Sequence, residues 1–183
     1  MAGVHPHTNR MTIVTCELPP HTAIEREMRD HASYTDAYRV PLRSAEASVI
    51  DLFFAVFGHH PPWLKAILLG RHRIGAWFGL DGAAAADILR PTRQGAYRAG
   101  DTIGPWPIHS CTDDELVAGR DNKHLDFRLS ILKDTSGAQP CAVVSTVCRT
   151  HNRFGRIYLM AVVPFHRWGV KRLLRRAQQA GRL

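Results

Sequence analysis

The chain has little with which to cross a membrane or be exported through one. Among its 183 residues no apolar stretch approaches the roughly 20 that span a bilayer. The longest run, Ile157 to Phe165, is interrupted by Pro164. Residues 1–10 carry no apolar core, which argues against a secretory leader, and Met11 is an alternative start to Met1. Cysteine is scarce: four residues, none in a Cys-x-x-Cys pair and none with histidines at zinc-finger spacing. They read as small buried apolar residues or free thiols of a reducing compartment, so the expected location is the cytoplasm. The adjacent His59 and His60 point in different directions, and no His-x-x-x-His pair accompanies them, so no metal site is expected. No Gly-x-Ser-x-Gly elbow and no phosphate-binding Walker loop occurs. Gly79-Leu-Asp-Gly82 lacks the glycine spacing and strand–turn–helix context of a dinucleotide fingerprint. No cofactor is expected.

Acidic residues are also missing from the last part of the chain. From Thr135 onward there are nine Lys or Arg and no Asp or Glu, so the whole net charge of +8 resides there. Two readings of this asymmetry stand. It is a solvated helix face that aids solubility, or it is a surface for phosphate, anionic lipid or an acidic partner.

What is present has a clear order. Residues 1–22 show no period and read as a flexible extension, leaving 23–183 as a single domain. Tyr34 to Leu42 has strand character and ends at a proline. Ser44 is a suitable N-cap for a helix with Ala45, Val49, Leu52, Phe53 and Val56 on one face, closed by Gly58. A second helix is predicted from Pro61-Pro62 to Gly79, and a short one from Ala83 to Leu89. The period then changes to two. Trp106–Cys111, Glu115–Arg120, Lys123–Leu132 and Cys141–His151 read as strands separated by short turns, hence antiparallel. A final helix is predicted near Pro164, preceded by a helical turn from Arg156, with Val170, Leu173, Leu174 and Ala177 as its apolar stripe.

An amphipathic helix that follows an antiparallel sheet must bury its stripe, and the apolar sheet face is the available surface. The predicted fold is therefore α+β: a curved antiparallel sheet wrapped around a long C-terminal helix, with two short helices after the first strand. This is the helix-grip, START-like (SRPBCC) order found in lipid-transfer proteins, polyketide cyclases and plant ligand carriers. Four strings carry a closer likeness: Tyr34-Thr-Asp-Ala-Tyr38, His124-Leu-Asp-Phe-Arg128, Asn152-Arg-Phe-Gly-Arg-Ile-Tyr158 and Pro164-Phe-His-Arg167. Through them the chain resembles a bacterial domain-of-unknown-function family, DUF2867, grouped with the START-like and polyketide-cyclase-like folds. The resemblance spans most of residues 34–176. It implies a fold and a pocket, and no activity. Some relatives are fused to NAD(P)-binding Rossmann domains, of which this chain has no counterpart.

Three segments supply candidate site residues. His124, Asp126 and Arg128 share one strand face. Asn152, Arg156 and Tyr158 lie where the last strand meets the final helix, and His166 is on that helix's inward side. If the strand face turns inward, they converge on a pocket mouth, to orient an anionic or carbonyl ligand or to support acid–base chemistry. If it turns outward, Leu125, Phe127, Leu129 and Ile131 face the cavity and the polar row forms exposed pairs. Asp36 between Tyr34 and Tyr38 reads either as a carboxylate at a cavity rim or as a strand residue flanked by surface hydroxyls. Trp63, Trp77, Phe78 and Trp106 line a pocket or fill a core.

Three functions follow. The first is a module binding a small hydrophobic or amphipathic ligand between sheet and helix. The second is a cyclase- or hydratase-type enzyme on the same fold, so whether the chain is an enzyme stays open. The third is an interaction module using Arg167, Lys171, Arg172, Arg175 and Arg176 on anionic lipid or nucleic acid. The basic face has little aromatic interleaving and no nucleic-acid motif, which places nucleic acid last.

Overall fold

The computed structural model describes residues 12–28, 31–59, 93 and 95–183. The predicted helices at 61–79 and 83–89 lie outside the described residues, as do Trp63, Trp77 and Phe78. In chain order the elements are β1 (Val14–Cys16), α1 (Ala23–Met28), β2 (Tyr34–Pro41), α2 (Val49–Phe57), β3 (Thr102–Ile103), β4 (Trp106–Cys111), β5 (Glu115–Arg120), β6 (Leu125–Asp134), β7 (Cys141–Thr150) and a helix, Arg153–Gln179, denoted α3. The seven strands form one curved antiparallel sheet in the order β1-β2-β7-β6-β5-β4-β3. The short turns between β4, β5, β6 and β7 permit only antiparallel neighbours. The crossover that brings β2 beside β7 joins the early and late parts of the chain.

One face of the sheet carries Tyr38, Val40, Leu116, Leu129, Ile131, Ala142 and Val144, and packs on α2 and α3. Val170, Leu173, Leu174 and Ala177 of α3 are buried there, as their helical spacing requires. Each buried leucine contributes about 1.5–3 kcal/mol. This is the helix grip, an α+β architecture. None of the described helices is long and apolar enough to cross a membrane.

The opposite face is covered too. Ile24 and Met28 of α1 lie on Val117 and Val147. The first turn of α1 is held by Glu115, whose carboxylate accepts from the Ala23 amide (2.6 Å), the Ile24 amide (3.5 Å) and the Ser130 hydroxyl (2.7 Å). Double coverage explains why β7 is buried from Cys141 through Cys148 without alternation.

Three boundaries differ from expectation. The extension ends earlier than residue 22, because Val14–Cys16 pairs with Ala37–Arg39 of β2. The helix expected from Ser44 starts instead at Val49. Ser48 accepts from the Asp51 amide and the Asp51 carboxylate accepts from the Ser48 amide, a reciprocal box for which Ser44 has no matching acid three residues on. The last helix does not begin near Pro164 but at Arg153, with Asn152 as N-cap and Pro164 in its interior. Pro164 lies on the exposed side, so the Met160 carbonyl it deprives of a donor can turn to water.

Candidate functional site

The period of two on β2 puts Tyr34, Asp36 and Tyr38 on the face that meets α3. Asp36 Oδ2 accepts from both phenols, at 2.6 Å from Tyr34 and 3.0 Å from Tyr38. His166 of α3 brings Nε2 to 3.4 Å of the same oxygen, a contact too long to be a good hydrogen bond. Its ring meets the Tyr34 ring edge-on, centroids 6.0 Å apart. Arg167, next in α3, and Lys171, one turn beyond it, supply two cations. Arg167 donates to the Tyr34 hydroxyl (3.1 Å) and its guanidinium lies 5.3 Å from the centre of that ring. The Lys171 ammonium lies 5.4 Å from the Tyr38 ring centre.

The Asp36 side chain is only 5% exposed. Burial alone would push its carboxyl up. The His166 imidazole and the two tyrosine hydroxyls outweigh burial and hold it below the ordinary carboxylate value. Burial raises both tyrosines, reinforced by Asp36, which accepts their protons' hydrogen bonds and repels a phenolate. Nearby Cys148 is pushed up to about 12 by burial and then by the Asp36 charge, so it is a thiol and no nucleophile. The group is thus a charged, acceptor-only carboxylate with two phenol donors on one oxygen.

Polar capacity remains unused. Asp36 Oδ1, Thr146 Oγ1 and His166 Nε2 are all buried without a hydrogen-bond partner among the described residues. Thr146 is the β7 residue directly opposite Asp36, so their side chains rise from the same sheet face. Beside them runs a cleft of about 440 Å³ along the edge of β2, where β1 has stopped pairing; Cys16, Leu18, Asp36, Tyr38, Arg167 and Lys171 are among its walls.

Of the seven expected site residues, only His166 stands in this group. Asp126 and Arg128 project from the other sheet face, that of α1. Asp126 accepts from Arg149 (2.8 Å) and the Asn122 amide (3.3 Å) and contacts His151 Nε2 at 2.9 Å. Arg128 donates to Asp121 (2.6 Å) and to the Phe127 carbonyl. The inward-turning strand face is therefore the Phe127, Leu129, Ile131 row, and the polar row is neither in the cavity nor freely exposed: Asp126 and Arg128 are buried. His124 stacks on Phe154, centroids 4.7 Å apart, and contacts the Asn152 amide at 3.0 Å. Asn152 caps α3 by accepting from the Gly155 amide. Arg156 is exposed on α3 and Tyr158 half-buried. His124 and Asp126 thus have separate partners and form no dyad.

The Tyr-x-Asp-x-Tyr alternation and the cations at 167 and 171 were visible in the sequence. Thr146, Cys16 and Leu18 were not singled out. The only signal for Thr146 was a polar pair, Ser145-Thr146, inside an otherwise apolar strand.

The model of the family "Protein of unknown function (DUF2867)" matches residues 28–173, and the chain belongs to that family. No curated protein matches the chain. Among solved structures, the crystal structure of CalU16 from Micromonospora echinospora is similar at 14% identity, over 80% of this chain and 85% of that one, with a TM-score of 0.31. So distant a likeness carries no argument about activity.

Proposed function

We propose that the chain binds a small amphipathic molecule in the cleft between the β2 edge and α3. The observation that carries this reading is the cleft of about 440 Å³ whose lining includes Leu18, Asp36, Tyr38, Arg167 and Lys171. That volume falls in the range of small-molecule sites, and such sites join apolar walls to a few convergent polar groups. Cys16, Leu18 and Tyr38 are among the former; Glu17, Arg167 and Lys171 are among the latter. A cyclase- or hydratase-type reaction gains no support from the geometry, since Cys148 is a buried thiol and His124 and Asp126 stand apart. Native mass spectrometry of the purified protein, with an added amphipathic naphthalene probe, tests the reading. One-to-one adducts are expected for the natural chain and their loss for Thr35→Trp, which fills the cleft from an exposed position. Equal adducts on both would reject the site.

A second reading has its own observation. On the outer side of α3, Ile157, Met160, Phe165 and Trp168 are 49–70% exposed. Arg153, Arg156 and Arg172 flank them, with the Arg172 guanidinium 5.3 Å from the Trp168 ring centre. Apolar side chains set among arginines suit an anionic lipid surface, and the Arg172, Arg175, Arg176 group extends the same positive field. Co-sedimentation with phosphatidylglycerol vesicles is expected, weakening steeply with salt and with Trp168→Ser. Binding indifferent to both would exclude it.

A further inference from the structure

We infer that the cleft takes amphiphiles by an anionic head, a carboxylate or phosphate received by Arg167 and Lys171, with the apolar body laid against Cys16 and Leu18. The inference rests on the cleft being a binding site and names the charge of what that site accepts.

Both cations belong to the lining of the cleft. They stand four residues apart on α3, the spacing that puts side chains on one face. Arg167 is exposed and Lys171 half-buried. Neither forms an ion pair with a carboxylate among the described residues. Arg167 donates only from Nε, to the Tyr34 hydroxyl; among the same residues its two terminal nitrogens and the Lys171 ammonium have no hydrogen-bond partner.

A surface cation without a counter-ion is ordinarily a solvated, wandering group. These two are placed. The Arg167 guanidinium lies 5.3 Å from the Tyr34 ring centre and the Lys171 ammonium 5.4 Å from that of Tyr38. Both rings are pinned in turn, because both phenols donate to Asp36 Oδ2. Donors already held in position lose less freedom when an anion arrives, and a guanidinium with two free nitrogens matches the fork of a carboxylate or phosphate.

Two carboxylates share the lining. The Asp36 side chain is 5% exposed, so it presents little surface to an occupant. Glu17 is exposed but pairs with neither cation. Positive charge therefore prevails on the α3 side, within a stretch that holds nine Lys or Arg and no acid from Thr135 onward.

The test compares 2-naphthoate with 2-naphthamide, one shape with and without the charge, by isothermal titration of the intact protein in dilute buffer. The naphthoate is expected to bind at least about tenfold more tightly, through charge-assisted hydrogen bonds, and to lose that advantage as salt is added. Arg167→Gln and Lys171→Gln are each expected to narrow the ratio, and Glu17→Gln to widen it. A free amphiphile and a bilayer lipid share this head chemistry. Trp168→Ser, on the outer side of α3, is expected to leave the naphthoate affinity unchanged while it weakens vesicle binding. A ratio kept in both glutamine variants, or lost in Trp168→Ser, would overturn the assignment to these two cations. Equal binding of both probes, abolished by Thr35→Trp, would overturn the charge rule and leave the cleft reading standing. No binding of either probe would overturn both.

Discussion

Two buried carboxylates, one on each face of the sheet, have nearly the same ingredients and different fates. Asp126, on the α1 side, is 7% exposed and sits with an imidazole and a guanidinium. Asp36, on the α3 side, is 5% exposed and also sits with an imidazole and, one residue further, a guanidinium. Both carboxyls lie below their ordinary value, because partners outweigh burial in each. The difference lies in completeness. Both Asp126 oxygens are engaged, and its partners His151 and Arg149 are about a third exposed, in touch with water. Asp36 has one oxygen with two phenol donors and one without a partner among the described residues, and one of those phenols, Tyr38, is 2% exposed. A saturated carboxylate is a staple for the sheet. The unsaturated one keeps an acceptor oxygen without a partner among the described residues.

The comparison can be broken most forcefully by deletion. Asp36→Ala is expected to cost about 3–5 kcal/mol in urea denaturation, since two phenols and an imidazole lose their shared acceptor in the interior. Asp126→Ala should cost less, about 1–2 kcal/mol, because Arg149 and His151 can rehydrate. A reversed order would mean that Asp126 is the more deeply committed group.

Acid sharpens the same contrast. A carboxyl whose folded value is depressed adds stability that is complete above its unfolded value, near 3.8 for Asp, and drains away as pH falls through the folded value. The natural chain is therefore expected to lose stability steeply below about pH 4. Asp36→Asn should flatten that limb, measured as urea midpoints between about pH 2 and 6. An unchanged slope would remove Asp36 from the linkage. The smallest effect is expected for Thr146→Val. Replacing an unpartnered buried hydroxyl by a methyl should leave stability within about 1 kcal/mol of the natural chain, or raise it. A larger loss would reveal that the hydroxyl already has work within the fold.

How far the sequence foretold this depends on the element. β4 and β5 were legible to the residue, because Thr112-Asp113-Asp114 and Asp121-Asn122 are turn texts with few alternatives. The stripe Val170, Leu173, Leu174, Ala177 was legible for the same local reason, its spacing. The face of β6 was not. A row of His124, Asp126 and Arg128 reads as solvent-facing or cavity-facing, and a third state was realised: burial under the far side of the sheet. That state depends on α1, a helix of six residues held in place by Glu115, distant in sequence. No local pattern announces such a tether. For Asp36 the two readings were both on the page, and only the burial of Tyr38 under α3 decided for the inward one.

The pairing of β2 with β7 has a kinetic corollary. The strand bearing Asp36 has its long ladder only with residues 141–148, a hundred or more positions downstream in the register. The loop to be closed is large, and contacts of such separation slow folding. During synthesis β2 waits with an open edge until β7 has left the ribosome, and the sheet face that carries Asp36 assembles in the last stage rather than the first. Charged Arg39 and the proline at Pro41 are suitable guards for an edge kept waiting that long.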